Sequence, residues 1–204
     1  MQVLKEEIRN RIKQAALELF AGTGYLGTTV SDIADRAGIS VGNVYKYYKN
    51  KQDLFDSLVQ PVYDKVVHCV KSRTQQKVDS SITDIAKDSR ILGLTEELLQ
   101  LFIQHRLEAL ILLSNTEGTG YENLKEHFVA MLEENMLDYI TQSKGKNYLS
   151  EHQTFFLHII YENIANFVLA IARKYSEEED IRQAVKELFT YHFYGLSKML
   201  GFTG

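Results

Sequence analysis

The stretch Thr28–Lys51, TTVSDIADRAGISVGNVYKYYKNK, decides how this chain is read. Thr29 precedes Asp32 by three residues. At that spacing a threonine and an acidic side chain cap a first helical turn reciprocally. Ile33, Ala34 and Ala37 follow at helical spacing, and Gly38 ends the run, as glycine does where a helix closes in a left-handed residue. Ser40 is the next N-cap candidate, two residues further on. Two short helices joined by so brief a glycine turn make a helix-turn-helix, whose second helix commonly enters the DNA major groove.

A helical wheel at about 100° per residue sorts the second helix into two sides. Val44 and Tyr48 fall on one, with Val41 beside them. Gly42, Asn43, Lys46 and Tyr47 fall on the other, and Tyr45 sits at the edge. The first group suits packing. The second offers a glycine that permits close approach, an amide, a cation and a phenol, all suited to phosphates and base edges. Short amphipathic helix pairs without a nucleic-acid role have the same geometry, so pattern alone leaves both readings open.

The string Thr28-Thr29-Val30, Ile33-Ala34, Ala37-Gly38-Ile39-Ser40, Gly42, Val44-Tyr45, Tyr47-Tyr48 and Asn50-Lys51 closely resembles the reading head of tetracycline-repressor-type (TetR family) regulators. The likeness runs from about residue 5 to about residue 60 and includes the spacing. It implies an all-α chain of about nine helices, with a three-helix DNA-binding head over residues 1–50 and an effector-binding and dimerisation domain over 51–204. It further implies a repressor, held as a homodimer on a palindromic double-stranded DNA operator and released by a small-molecule effector. Ser40, Val41, Gly42, Asn43, Tyr45, Lys46 and Tyr47 would approach the major groove and its flanking phosphates. Thr28, Thr29 and Lys51 would hold the backbone from the first turns of helices 2 and 4, whose N–H groups favour anions. Tyr48 stands where the family usually has phenylalanine, which is tolerable if its hydroxyl reaches solvent.

Charge distribution is compatible with this reading. The net charge is −4 overall, yet residues 1–51 hold eight Lys and Arg against five Asp and Glu, a net of +3. The remainder holds fifteen against twenty-two, a net of −7, so a basic head sits on an acidic body. No stretch approaches the roughly 20 uninterrupted apolar residues of a membrane span, and the amino terminus, MQVLKEEIRN, lacks a signal-peptide core. The one cysteine, Cys69, excludes an intramolecular disulfide and fits a reducing cytoplasm.

Outward from the deciding stretch, Ile8, Ile12, Ala16, Leu19 and Phe20 predict a first helix over residues 5–21, ended by Gly22 and Gly24. Asn50 with Asp53 caps a long fourth helix reaching about Arg73, in which Pro61 removes a backbone donor and predicts a kink; the resemblance implies a joint between head and body there, and a bend that only fits the helix to its neighbours is the other reading. Residues 74–81 read as a loop. A short helix is expected over 82–91 and an apolar one over 95–113, followed by the glycine-containing turn SNTEGTGYEN and a helix over 123–141. The final helices, 151–175 and 177–200, are apolar on more than one face, and Ser176 with Glu179 predicts a capping box at the start of the last. Helices apolar on two sides need two partners, so these two are expected to form a four-helix bundle with a second copy, with Phe167 and Leu196 on the shared face.

Enzyme signatures are absent: there is no GxSxG elbow, HExxH pair, phosphate loop or cysteine ligand cluster, and no cofactor or metal is expected. His158 and Glu162, four apart, lack further ligands and read as hydrogen-bonding residues. An effector pocket between helices would draw on Phe102, His105, Arg106, Tyr121, Phe128, His158, Tyr161, Glu162 and Asn166, a set supported only through the family resemblance.

Overall fold

A computed structural model of the chain describes residues 2–74 and 85–201. Among these residues all regular structure is helical: α1 Gln2–Gly27, α2 Val30–Ala37, α3 Val41–Val44, α4 Lys51–Thr74, a 3-10 turn Ile85–Lys87, α5 Ser89–Gln104, α6 Arg106–Ser114, α7 Leu124–Lys144, α8 Glu151–Lys174 and α9 Glu178–Met199. The expected all-α class holds. By packing, the chain falls into two units, Met1–Asp64 with Leu107–Leu124 and Lys65–Arg106 with Lys125–Gly204. Packing therefore draws its line after Asp64 rather than after residue 50, and joins 107–124 to the head.

The first unit is built on one apolar cluster. Ile12, Ala16 and Phe20 of α1, Ile33 and Ala34 of α2, Val44 of α3, and Leu54, Phe55 and Val59 of α4 are all buried in it, together with Ile111 and Leu112 of α6. Phe20, Tyr25 and Phe55 pack edge to face or tilted with centroids 5.1–5.9 Å apart. Asn115 extends the enclosure by donating to Ala21 O at 2.8 Å at the end of α1. The break in α1 falls at Gly24 (φ 75°, ψ 172°), and Gly22 stays helical, so only the second of the two expected glycine stops acts. α4 continues through Pro61 as one helix.

In the second unit, Ile85 and Ile91, Val129, Met136 and Tyr139 of α7, Leu157 and Tyr161 of α8, and Phe193 and Leu196 of α9 share a core. Asp88 caps α5, accepting from Arg90 N at 2.7 Å, and its other oxygen accepts the Tyr139 hydroxyl at 2.9 Å. This buried cap starts α5 six residues before the expected Thr95. The expected single helix over 95–113 is two helices, broken at His105 (φ −129°, ψ 41°). There Arg106 turns its guanidinium to Ala172 O of α8, and no glycine or proline marks the break. The expected helix over 82–91 and loop over 74–81 lie largely outside the described residues; at 85–87 the chain forms a 3-10 turn. Ser176 does not cap α9: the helix begins one residue later, and Ser176 Oγ donates to Glu177 instead. α8 carries a reciprocal box of Ser150 and Gln153. By length and composition α8 is apolar enough to cross a membrane, but Leu157, Tyr161, Ile164 and Ala165 are spent on the core with α7 and α9.

Candidate nucleic-acid interface

The head's geometry follows from its caps. Thr29 Oγ1 accepts from Asp32 N at 3.1 Å, while Asp32 Oδ2 accepts Thr29 N at 2.9 Å and its hydroxyl at 2.7 Å. At the other end of α2, Ile39 N donates to Ala34 O at 3.0 Å and Gly38 N to Asp35 O at 3.1 Å, closing a Schellman turn around left-handed Gly38 (φ 65°). A side chain at Gly38 would be strained and would also meet Arg11 Nη2 at 2.8 Å. That guanidinium donates to the free carbonyls of Ala37 and Gly38. Arg36 pairs with Glu18, a second tie between α2 and α1.

The turn delivers α3 with the expected sides. Val44 is buried and anchors it; Val41, Gly42, Tyr45 and Lys46 are exposed, and Asn43 and Tyr47 are half-buried. Val41, placed beside the packing side by the wheel, is on the open surface. Only Val41–Val44 is α-helical, but Tyr47 and Tyr48 N–H groups both bond Val44 O, carrying the winding one turn further. Ser40 starts the helix without a side-chain cap bond. A methyl placed on Gly42 would meet no atom within 4 Å. The fold does not require glycine there. Lys46 Nζ donates to Asn43 Oδ1 at 2.8 Å, joining two candidate reading residues. Tyr48 is 6% exposed, so its hydroxyl does not reach solvent as the sequence reading required. Burial raises its pKa, with Ser57 and Arg9 partly offsetting that effect.

The three residues expected to hold the DNA backbone are placed differently. Thr28 is buried, its hydroxyl bonded to Gly24 O at 2.8 Å and to Thr23 Oγ1 at 2.9 Å. Thr29 is exposed but its hydroxyl serves the capping box. Lys51 Nζ donates to Tyr25 O at 2.7 Å and Thr28 O at 2.9 Å, and lies 4.0 Å from the centroid of the Tyr25 ring. Desolvation lowers the pKa of this ammonium. Its spacing from the motif is visible in sequence, but the two inward carbonyls are not. Asn50 caps α4 as expected, accepting from Asp53 N at 2.8 Å.

The nine effector candidates are divided between the two units. Tyr121 belongs to the first unit, where its hydroxyl bonds Gln60. His158, Glu162 and Asn166 are exposed on α8; His158 Nδ1 bonds Glu133 at 2.8 Å, which raises its pKa, and Asn166 accepts from Lys125 at 2.7 Å. His105 lies 3.2 Å from Lys65 Nζ and Arg106 is on Ala172 O. Phe102 and Phe128 are half-buried and Tyr161 is buried. A groove of about 650 Å³ opens between α5 and α9 over Leu99, Val185, Phe189 and Phe193, with Lys186 and Lys198 among its cations, and none of the nine lines it. Sequence reasoning misses it because the last helix is read as dimer face and nothing in the pattern shows that α5 lies beside it. Among the described residues no three His, Cys, Asp or Glu side chains cluster as a metal site.

A capped helix, a Schellman turn and a short exposed helix on a buried anchor form a helix-turn-helix, the unit with which many transcriptional regulators bind DNA. Residues 12–58, the head of the chain, match the family model for bacterial regulatory proteins of the tetR family. It is 27% identical over 161 residues to the uncharacterized HTH-type transcriptional regulator YvkB of Bacillus subtilis, covering 74% of this chain and 78% of that protein. It is 33% identical over 79 residues to the HTH-type transcriptional repressor KstR2 of Mycolicibacterium smegmatis, spanning 39% of this chain and only 37% of that relative. Among solved structures, the ketosteroid transcriptional regulator KstR2 of Mycobacterium tuberculosis superposes with a TM-score of 0.66 at 19% identity, covering 92% of this chain and 93% of that one. The fatty acid degradation regulator FadR of Bacillus halodurans gives 0.59 at 21%, covering 93% and 96%.

Proposed function

We propose that the chain is a cytoplasmic repressor that binds a palindromic operator as a homodimer and leaves it when a small molecule binds the second unit. One observation carries the DNA reading: exposed Gly42, with open space above it, sits among Ser40, Val41, Asn43, Tyr45, Lys46 and Tyr47 on a helix anchored by Val44. That surface combines close approach with donors and a cation. Lys51 and Thr28 contribute from inside, fixing the α1–α2 turn.

Twofold pairing is supported by the outer faces of the last two helices. Phe155, Phe156 and Phe167 of α8 and Tyr191 and Tyr194 of α9 are 47–76% exposed, an apolar surface a second copy would cover. Leu196, expected on that face, is fully buried in the core of its own unit and drops out of it. The effector is taken to be an apolar organic acid, since the groove between α5 and α9 has an apolar floor with Lys186 and Lys198 beside it. KstR2 and FadR, named for ketosteroids and fatty acid degradation, are in keeping with an apolar effector.

Selection of bound sequences from a pool of random duplex DNA tests the proposal. An enriched inverted repeat is expected, released by long-chain carboxylic acids and not by alcohols of equal length. If no sequence is enriched, the chain is instead a helical ligand-binding protein whose head does not read DNA.

A further inference from the structure

The bond between Asn43 and Lys46 bears on which base the head reads, an inference that rests on the regulator reading. A carboxamide has one acceptor oxygen and two N–H donors, and an ammonium has donors only. In this head Lys46 Nζ already donates to Asn43 Oδ1 at 2.8 Å. The remaining lone pair on that oxygen lies beside a positive charge, which repels an approaching amino group. What the pair presents outward is therefore a set of N–H donors: two on Asn43 Nδ2 and those left on Lys46 Nζ.

The major-groove edges respond differently to such a set. Guanine offers two adjacent acceptors, N7 and O6; adenine places an N6 amino donor beside N7; cytosine offers an amino donor; thymine offers one acceptor beside a methyl. An asparagine acting alone favours adenine, because it accepts from N6 through its oxygen while donating to N7. With that oxygen held by Lys46, the adenine mode is lost. Gly42, the preceding residue, has no atom within 4 Å of where a side chain would begin, which leaves room for the backbone to come close to the groove floor.

We propose that Asn43 and Lys46 act as one donor-only unit that selects guanine in each half-site, through N7 and O6. Lys46 thereby sets specificity by controlling which atoms Asn43 presents, and adenine selectivity is latent in Asn43.

The test uses the full chain and the duplex enriched from random DNA. The position in question is the one at which Asn43→Ala erases base preference. Guanine is expected there, and replacing it by 7-deazaguanine in both half-sites should weaken binding at least tenfold. Lys46→Met keeps an unbranched apolar stem, removes the ammonium and frees Asn43 Oδ1, so it should shift preference at that position from guanine to adenine. Unchanged thermal melting of both variants is the folding control. Adenine or a pyrimidine at that position, indifference to 7-deazaguanine, or an equal loss of affinity by Lys46→Met on duplexes carrying guanine and adenine there overturns the inference and leaves the regulator reading standing. Failure to enrich any sequence overturns both.

Discussion

Lys51→Ala separates two roles that look alike in the sequence. A lysine opening the helix after a helix-turn-helix invites a phosphate contact. Here its ammonium donates to Tyr25 O and Thr28 O at 2.7 and 2.9 Å and lies 4.0 Å from the Tyr25 ring centroid. Hydrogen bonds to charged groups contribute about 1.5–3 kcal/mol each when buried, and a cation over a ring about 0.5–1 kcal/mol when exposed. Lys51 is half-buried, and water will take over part of both carbonyls in the variant. A net loss of about 2 kcal/mol of stability follows. With a urea m-value of about 1–3 kcal/mol/M, the midpoint should fall by about 1 M. DNA affinity should drop because the α1–α2 turn loosens. The slope of log K against log salt should stay put, since no phosphate loses a partner. A phosphate contact would instead flatten that slope by about 0.9 with little change in the urea midpoint, and that pair of results would refute the internal role.

Gly42→Ala should leave thermal stability unchanged or raise it by about 0.4–1 kcal/mol, because the added methyl meets nothing and the unfolded chain loses freedom; in a mobility-shift titration the same variant should lose most of its specific affinity. Phe167→Asp and Tyr191→Asp should give folded monomers in sedimentation at micromolar concentration, whereas Leu196→Asp should unfold the second unit, since Leu196 is fully buried and Phe167 and Tyr191 are 47% and 76% exposed. Burial pushes His192 down to about 4 from 6.5, so between those values the unfolded state binds a proton that the folded state does not. Stability from this group is full above about pH 6.5 and is lost as pH falls towards 4, by up to about 3 kcal/mol. His192→Phe should flatten the melting temperature over that range.

The fold was legible where local chemistry is self-contained. Thr29 with Asp32, Gly38 and Asn50 are caps whose partners lie within a few residues, and each forms as the spacing dictates. The break at His105 carries no glycine or proline, and Arg106 there meets the Ala172 carbonyl, 66 residues away in sequence. Ser150 and Gln153 were a readable box that the apolar pattern of α8 overshadowed, while Ser176 had the right spacing and the wrong helix start. The split of α3 into packed and outward faces followed from its period, apart from exposed Val41. The direction of Thr28 and Lys51 did not, because both are satisfied by carbonyls that no side-chain pattern reveals. The groove between α5 and α9 was not legible for a related reason: helical spacing says which residues share a face, not which faces meet.

The central claim is that α3 reads the major groove as one of a twofold pair. Dimethyl sulfate footprinting of the enriched duplex with the full chain bound tests it directly, because the reagent methylates guanine N7 in the major groove and adenine N3 in the minor groove. The account predicts protection of guanine N7 in two patches on one face of the duplex, related by inversion and about 10 base pairs, or a multiple of that, apart between centres. Protection confined to adenine N3, or a single patch without its inverted partner, would contradict it.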